Sequence, residues 1–214
     1  HLGTVMQHGI ADWDDAGYSF CVPSIANLYL RWWAPLTPGR NRRPDQAEYT
    51  GQNVDGFGNK ITVWAVANPS PEANHDKLTT RAAGFGIVRF NKPQRTITME
   101  CWPRNVDITA AGAKPYPGWP VTIRQTDNDG RRAAAYLPVL KVSGMDDPVV
   151  QVVDESNGEI EYTLRIKGRE FRPRVFHAGS YTIRVGDQGQ RTREFTKVRS
   201  VPEGDAAELR VRFD

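Results

Sequence analysis

The sequence predicts a mainly β protein that folds in two parts. Fifteen prolines and nineteen glycines allow turns at short intervals, and Val, Ile, Thr, Tyr and Trp, which favour strands, are frequent. Apolar and polar residues alternate through the second half of the chain. The length of 214 residues leaves room for one large or two ordinary domains. With 39 % hydrophobic and 25 % charged residues, the composition is that of a folded protein.

Charge and hydropathy argue against two common functions. The formal net charge of +3 is small for this length. The arginines alternate along predicted strands instead of clustering, so no nucleic-acid partner is indicated. No apolar run approaches the ~20 residues that a membrane-spanning helix needs, so no membrane span is predicted.

The first half has five predicted strands joined by long irregular connections. Apolar runs of β-favouring residues place these strands at 2–6, 17–23, 60–67, 85–90 and 96–102. The link at 91–95 makes the last two strands a hairpin. Residues 26–33 are compatible with one or two helical turns. The loop at 36–59 is rich in Pro, Gly, Asn and Arg, and loops of this length are often functional.

The composition changes near residue 115. Small residues followed by two prolines at 110–118 are typical of a linker, which divides the chain into 1–115 and 119–214. About seven short strands fit into the second part, and turn signals separate them. This pattern predicts an immunoglobulin-like antiparallel β-sandwich after an α+β first part.

The strands of the second part each have one apolar face. Tyr181, Ile183 and Val185 are apolar while the residues between them are polar, and 161–167 repeats the pattern. A Gly-Ser-Tyr sequence ending at Tyr181 predicts that its hydroxyl is tied to the backbone at the entry to a late strand. His177, a single histidine beside this turn, is expected to be structural or exposed. Nothing in this part indicates catalysis.

The chain begins at His1, without an initiator methionine, and a predicted buried strand follows directly. A natural start normally carries Met, a polar tail or a signal peptide. We therefore expect the sequence to be the C-terminal end of a longer protein.

Three segments in the first half carry a resemblance to a known family. They are HLGTVMQHG at 1–9, FCVPSIAN at 20–27 followed by RWW at 31–33, and DGFGNKITV at 55–63 with ANP at 67–69. Together they resemble the C-terminal portion of alkaline phosphatase D-like (PhoD-like) metallophosphatases, within the calcineurin-like metallophosphoesterases. The hairpin GFGIVRF at 84–90 and RTITMECWP at 95–103 fits the same family. The resemblance covers about residues 1–105.

The resemblance implies a metal-dependent hydrolase acting on a phosphoester substrate. A Gly-Asp-x-His-type motif supplies a late metal ligand in that family, which makes His1 the candidate ligand. The complete protein is expected to hold two divalent or trivalent metal ions that activate water and neutralise phosphate charge. The other ligands are expected upstream, so this chain alone is expected to bind no metal ions and to be inactive. The family also favours an exported protein.

Four further residues are candidates for supporting roles. His8 is a candidate for contact with a metal ligand, although a core or surface position is favoured. Arg31, Arg40 and Arg42 lie near the long loop, together with Arg43, and the guanidinium fork suits a phosphate group. Exposed loop charges remain the favoured interpretation of these arginines. Tryptophans 32, 33, 64 and 102 are expected to pack between layers rather than to bind a ligand.

Two alternatives to a hydrolase fragment remain open. One is a non-catalytic β-sandwich module that binds carbohydrate or a cell surface through exposed tryptophans. The other is a purely structural or interaction domain. Metal-ligand motifs upstream of His1 would distinguish the hydrolase from both.

Overall fold

A computed structural model describes residues 3–25, 37–47, 49–67, 82–187, 191–205 and 207–214. The described chain is mainly β, with several antiparallel sheets and almost no helix, which confirms the predicted class. Its one helical element is a short 3₁₀ helix at Gln125–Asn128. The predicted helical turns at 26–33 lie outside the described residues.

The chain divides into two compact units, His1–Arg131 and Arg132–Asp214. The division falls later than the predicted linker because the strand at Val121–Arg124 pairs with the preceding strand at Thr96–Pro103. Trp119 and Ile123 are buried in the core of the first unit. Residues 119–131 therefore belong to the first unit.

The first unit contains a four-stranded antiparallel sheet. Its strands are β1 (Thr4–His8), β2 (Tyr18–Cys21), β3 (Gly51–Val54) and β4 (Lys60–Val66). They lie in the order β2-β1-β4-β3. The turn between β3 and β4 is held by the Asp55 carboxylate, which accepts backbone N–H bonds from Phe57 and Asn59. Gly58 has a positive φ of 88° in this turn, a conformation that glycine adopts without steric cost.

A three-stranded antiparallel sheet is the other sheet in the described part of the first unit. It consists of β5 (Gly84–Asn91), β6 (Thr96–Pro103) and β7 (Val121–Arg124), in that order. The predicted hairpin is confirmed, because β5 and β6 pair directly across the 92–95 turn. Residues of both sheets, including Val5, Val63 and Cys101, form one buried cluster.

The described part of the second unit has nine strands. They are β8 (Ala135–Tyr136), β9 (Val139–Ser143), β10 (Val149–Asp154), β11 (Ile160–Arg165), β12 (Glu170–Phe171), β13 (Arg174–Val175), β14 (Ser180–Gly186), β15 (Thr192–Arg199) and β16 (Glu208–Arg212). One sheet has the order β11-β10-β14-β15, a second has the order β12-β9-β16, and β13 pairs with β8. The β9–β16 pairing is parallel, and the other pairings are antiparallel.

The core of the second unit draws on both of its larger sheets. Leu140 and Val211 from one sheet and Val152 and Ile183 from the other belong to the same cluster, and each is fully buried. Along β14, Tyr181, Ile183 and Val185 are inaccessible and Arg184 is exposed, as predicted. Thr182, predicted to face outward, is buried instead, and its hydroxyl donates to the Glu155 carboxylate at 2.7 Å. Alternate burial of this kind is the expected packing of a strand with one face on a core.

Candidate functional site

The structure describes three of the five candidate site residues, since His1 and Arg31 lie outside the described part. His8 is exposed at the end of β1, and its Nε2 lies 2.9 Å from Ser19 Oγ on the neighbouring strand. Arg40 is exposed and forms an isolated bridge with Gln52 through its backbone. Arg42 donates from its guanidinium to the Gln46 carbonyl at 2.7 Å, so that side chain holds the loop.

A cleft in the first unit lies next to this arginine loop. It has a volume of about 390 Å³, within the usual size range of small-molecule sites. Five separate stretches of the first unit form its walls. They are one residue of β2, loop residues 43 and 45–47, part of β4, the approach to and start of β7, and Asp127 in the 3₁₀ helix that follows β7. The side chains that give it chemical character are Tyr18, Arg43, Asp45, Gln46, Trp64 and Asp127.

Trp64 occupies a β-bulge, which explains its position in the cleft. Val5 pairs with Ala65 and Met6 pairs with Val63, so Trp64 has no partner residue in β1. Bulges of this type redirect a side chain and are frequent beside binding sites. Trp64, one of the tryptophans expected only to pack between layers, is half-buried and lines the cleft instead.

Two aromatic rings and a guanidinium stack in the cleft. The ring centroids of Tyr18 and Trp64 are 6.2 Å apart with an interplanar angle of 29°. The guanidinium carbon of Arg43 lies 5.6 Å from the centroid of the Trp64 ring, within the range of a cation–π contact. Arg43, rather than Arg40 or Arg42, is therefore the arginine that the structure places in this site.

The cleft holds charges of both signs. Burial, followed by the charges of Asp127 and Asp14, raises the pKa of Tyr18 to about 12, while Arg43 opposes the shift. The phenol is therefore neutral at physiological pH and able both to donate and to accept. Within the described part of the chain, the side chains of Tyr18, Arg43, Asp45 and Gln46 make no hydrogen bond or ion pair. Their polar groups are thus available to a bound molecule.

A second cluster of functional groups lies in the second unit. One oxygen each of Asp154 and Glu161 and one ring nitrogen of His177 lie within 4.8 Å of one another. His177 Nε2 is 3.0 Å from Asp154 Oδ2 and 3.7 Å from Glu161 Oε1. Two carboxylates and an imidazole are suitable ligands for a divalent cation.

Hydrogen bonds inside this cluster also give it a structural role. The Ser156 backbone N–H, and in smaller measure the Ser156 hydroxyl and His177, lower the pKa of the buried Asp154 carboxyl. Contacts with the Ala178 carbonyl and with Asp154 raise the pKa of His177. The Tyr181 hydroxyl donates to the His177 carbonyl at 2.8 Å, so the predicted tie between this hydroxyl and the backbone is confirmed.

The described residues of the first unit do not fit a two-metal centre. Nowhere in that part of the first unit do three His, Cys, Asp or Glu side chains bring ligand atoms within 4.8 Å of one another. No helix in the described chain is long and apolar enough to cross a membrane. No protein-family model, no curated protein and no solved structure matches the chain. The functional argument therefore rests on the sequence segments and the contacts of this molecule.

Proposed function

We propose that this chain is the C-terminal portion of an alkaline phosphatase D-like metal-dependent phosphatase or phosphodiesterase. One observation carries the proposal: the described parts of the three segments that resemble this family contribute to one sheet. The first segment contains β1, the second contributes Phe20 and Cys21 to β2, and the third forms the β3–β4 turn and the start of β4.

The described parts of these segments are neighbours in the fold. β1 lies between β2 and β4, so segments up to about 60 residues apart in sequence are hydrogen-bonded neighbours. The fourth matching stretch, at 84–90 and 95–103, forms the β5–β6 hairpin. If the four stretches form one structural motif, they should lie together, and this arrangement meets that condition.

The proposed reaction is hydrolysis of a phosphoester. When bound, two metal ions would supply an activated water and neutralise the phosphate charge. In the sequence His1 comes before β1, which begins at Thr4, and the resemblance makes this histidine the candidate late ligand. The remaining ligands would come from residues upstream of this sequence, so the proposed role of the first unit is to complete the enzyme and not to react alone.

The second unit is proposed to be an immunoglobulin-like sandwich without a catalytic role. A four-stranded and a three-stranded sheet share one core. The hydroxyl of Tyr181, at the start of β14, bonds the backbone four residues upstream, as does the tyrosine at the corner of such sandwiches. These two features support the assignment.

An activity assay on two forms of the protein tests the proposal. The 214-residue chain should not hydrolyse bis(p-nitrophenyl) phosphate, whereas its reading frame extended upstream should do so with added divalent metal, and a chelator should abolish the reaction. In the extended protein, His1→Ala should lower kcat by at least about 100-fold, since even residues that only support metal ligands cost 10–100-fold. The matched variant His8→Ala should cost much less.

Two results would contradict this proposal. One is an extended protein that lacks metal-dependent hydrolysis of the dye. The other is chelator-sensitive hydrolysis by the 214-residue chain that His1→Ala removes, because the metal centre would then reside in this chain.

A further inference from the structure

We propose that the cleft beside Trp64 binds an uncharged carbohydrate ring. This inference is independent of the phosphohydrolase proposal, because that proposal assigns no role to Tyr18, Asp45 or Trp64. It rests on the aromatic surface, the mixed charge and the available hydrogen-bonding groups of the cleft.

The aromatic surface supplies the first argument. Tyr18 and Trp64 stack on the same side of the sheet although β1 separates their strands. The bulge directs Trp64 into the cleft instead of into the core. A flat aromatic wall suits the apolar C–H face of a sugar ring, which loses little hydration when it stacks there.

The charges in the cleft disfavour the two simplest charged ligands, a small anion and a small cation. An anion such as phosphate would meet the carboxylates of Asp45 and Asp127, which together outweigh the single guanidinium of Arg43. A small cation would compete with Arg43, which already lies over the Trp64 ring. Charges of both signs around one cleft favour a neutral ligand.

Hydroxyl groups match the available polar atoms. Each sugar hydroxyl both donates and accepts, so adjacent hydroxyls can donate to the Asp45 carboxylate and accept from Arg43. The Tyr18 hydroxyl stays protonated, because its pKa is about 12, and can serve either role. The Gln46 amide adds a further donor and acceptor at the same wall. A volume of about 390 Å³ is sufficient for one or two sugar rings.

Titration of the 214-residue chain with cellobiose, maltose and N,N′-diacetylchitobiose tests this inference. Tryptophan fluorescence and saturation-transfer NMR follow binding up to about 20 mM, since weak sites have millimolar dissociation constants. At least one sugar should bind saturably. Trp64→Ala and Asp45→Asn should each raise its Kd by about tenfold or more, through loss of the stacking wall or of a charge-assisted hydrogen bond.

Matched variants outside the cleft serve as controls. Phe57→Ala removes an aromatic ring that is 95 % exposed, and Asp107→Asn neutralises an exposed carboxylate of the same unit. Both should bind the sugar as the parent chain does. Asp45 is exposed, so Asp45→Asn decides the outcome if Trp64→Ala does not fold.

The inference is overturned if none of the three sugars binds saturably. It is equally overturned if Asp45→Asn and Trp64→Ala, both folded, leave the Kd unchanged, because binding would then occur elsewhere. Tighter binding of inorganic phosphate or tetramethylammonium than of every sugar would assign the cleft to a charged ligand. None of these results bears on the phosphohydrolase assay, so the two proposals can fail separately.

Discussion

The two units of this chain differ in how completely their buried polar groups are satisfied. In the described part of the first unit, Thr4 Oγ1, Thr62 Oγ1, Trp64 Nε1 and Trp119 Nε1 are buried without a hydrogen-bond partner. In the second unit, the deeply buried Asp154 carboxylate accepts bonds from Ser156 and His177. An unsatisfied buried group costs about 1–3 kcal/mol. Among the described residues of the second unit, Arg172 Nε is the buried side-chain atom left without a partner. The first unit therefore carries more of this cost than the second.

The two units also differ in the length of the connections between their strands, which are short in the second unit and long in the first. In the second unit, β10 and β11 join through a short turn, and β14 and β15 are adjacent both in sequence and in their sheet. In the first unit, β2 ends at Cys21 and its sheet resumes at Gly51. Regions that retain unsatisfied buried groups or strained backbone are often functional. A unit with short, regular connections instead has residues that serve mainly to pack its core.

The largest expected effect comes from a charge placed in the second core. Ile183 is fully buried, so Ile183→Asp should cost more than about 4 kcal/mol and unfold the second unit. All six tryptophans lie in the first unit, so their emission should not change while the β signal in circular dichroism falls. Thr196→Asp, exposed on neighbouring β15, is the control and should be nearly neutral. A red-shifted tryptophan emission in Ile183→Asp would show that the units do not fold independently.

The second prediction compares two versions of the first unit. A fragment of residues 1–115 lacks β7, so β6 has an open edge and the core lacks Trp119 and Ile123. This fragment should aggregate or bind a hydrophobic dye strongly, and a fragment of residues 1–131 should bind much less. Residues 132–214 alone should melt cooperatively. Equal dye binding by 1–115 and 1–131 would contradict the role assigned to β7.

A smaller effect is expected from the Tyr181 hydroxyl. Tyr181→Phe removes the 2.8 Å bond to the His177 carbonyl and should destabilise the second unit by about 1 kcal/mol, measured by urea unfolding. Tyr136→Phe is the matched control, since its hydroxyl makes only a 3.5 Å contact with Glu203. If both variants lose the same stability, the hydroxyl at the start of β14 has no special role.

The smallest effect concerns pH. The folded-state pKa of His177 is raised above 6.5, so its stabilisation is complete below that pH and is lost as pH rises through the folded value. The lowered pKa of Asp154 acts oppositely, and its stabilisation is lost only in acid, below about 3.8. The melting temperature of the second unit should therefore fall slightly more between pH 6 and 8 than that of His177→Gln. The effect is small because the His177 ring is 45 % exposed. Parallel pH profiles for the two proteins would count against this account.

The sequence predicted strands where one face is regularly apolar, and it was least informative where the site lies. The strand predicted at 60–67 is observed as Lys60–Val66, and that at 96–102 as Thr96–Pro103. Periodicity sufficed because one side of each strand faces a core. The residues that line the cleft show no such periodic pattern in the sequence. Its walls come from five stretches of the first unit. A register shift, which no local pattern encodes, directs Trp64 into the cleft.

The cluster around His177 was missed for a related reason. A single histidine near a turn carries no spacing signal, while Asp154 ends β10 and Glu161 lies in β11. The three groups meet only because β10 pairs with both β11 and β14. Pairing partners, not sequence neighbours, decide such clusters. The opposite case is the Tyr181 tie, which is local in sequence and was predicted correctly.

The parallel pairing of β9 with β16 has a consequence for synthesis of the protein. Val139 pairs with Glu208 and Ser143 with Arg212. β9 is therefore synthesised about seventy residues before β16, the strand with which it pairs. On the ribosome, β9 therefore has an unpaired edge until residue 212 has left the exit tunnel. During that interval the nascent chain is open to wrong strand partners, and we expect chaperones to bind it there.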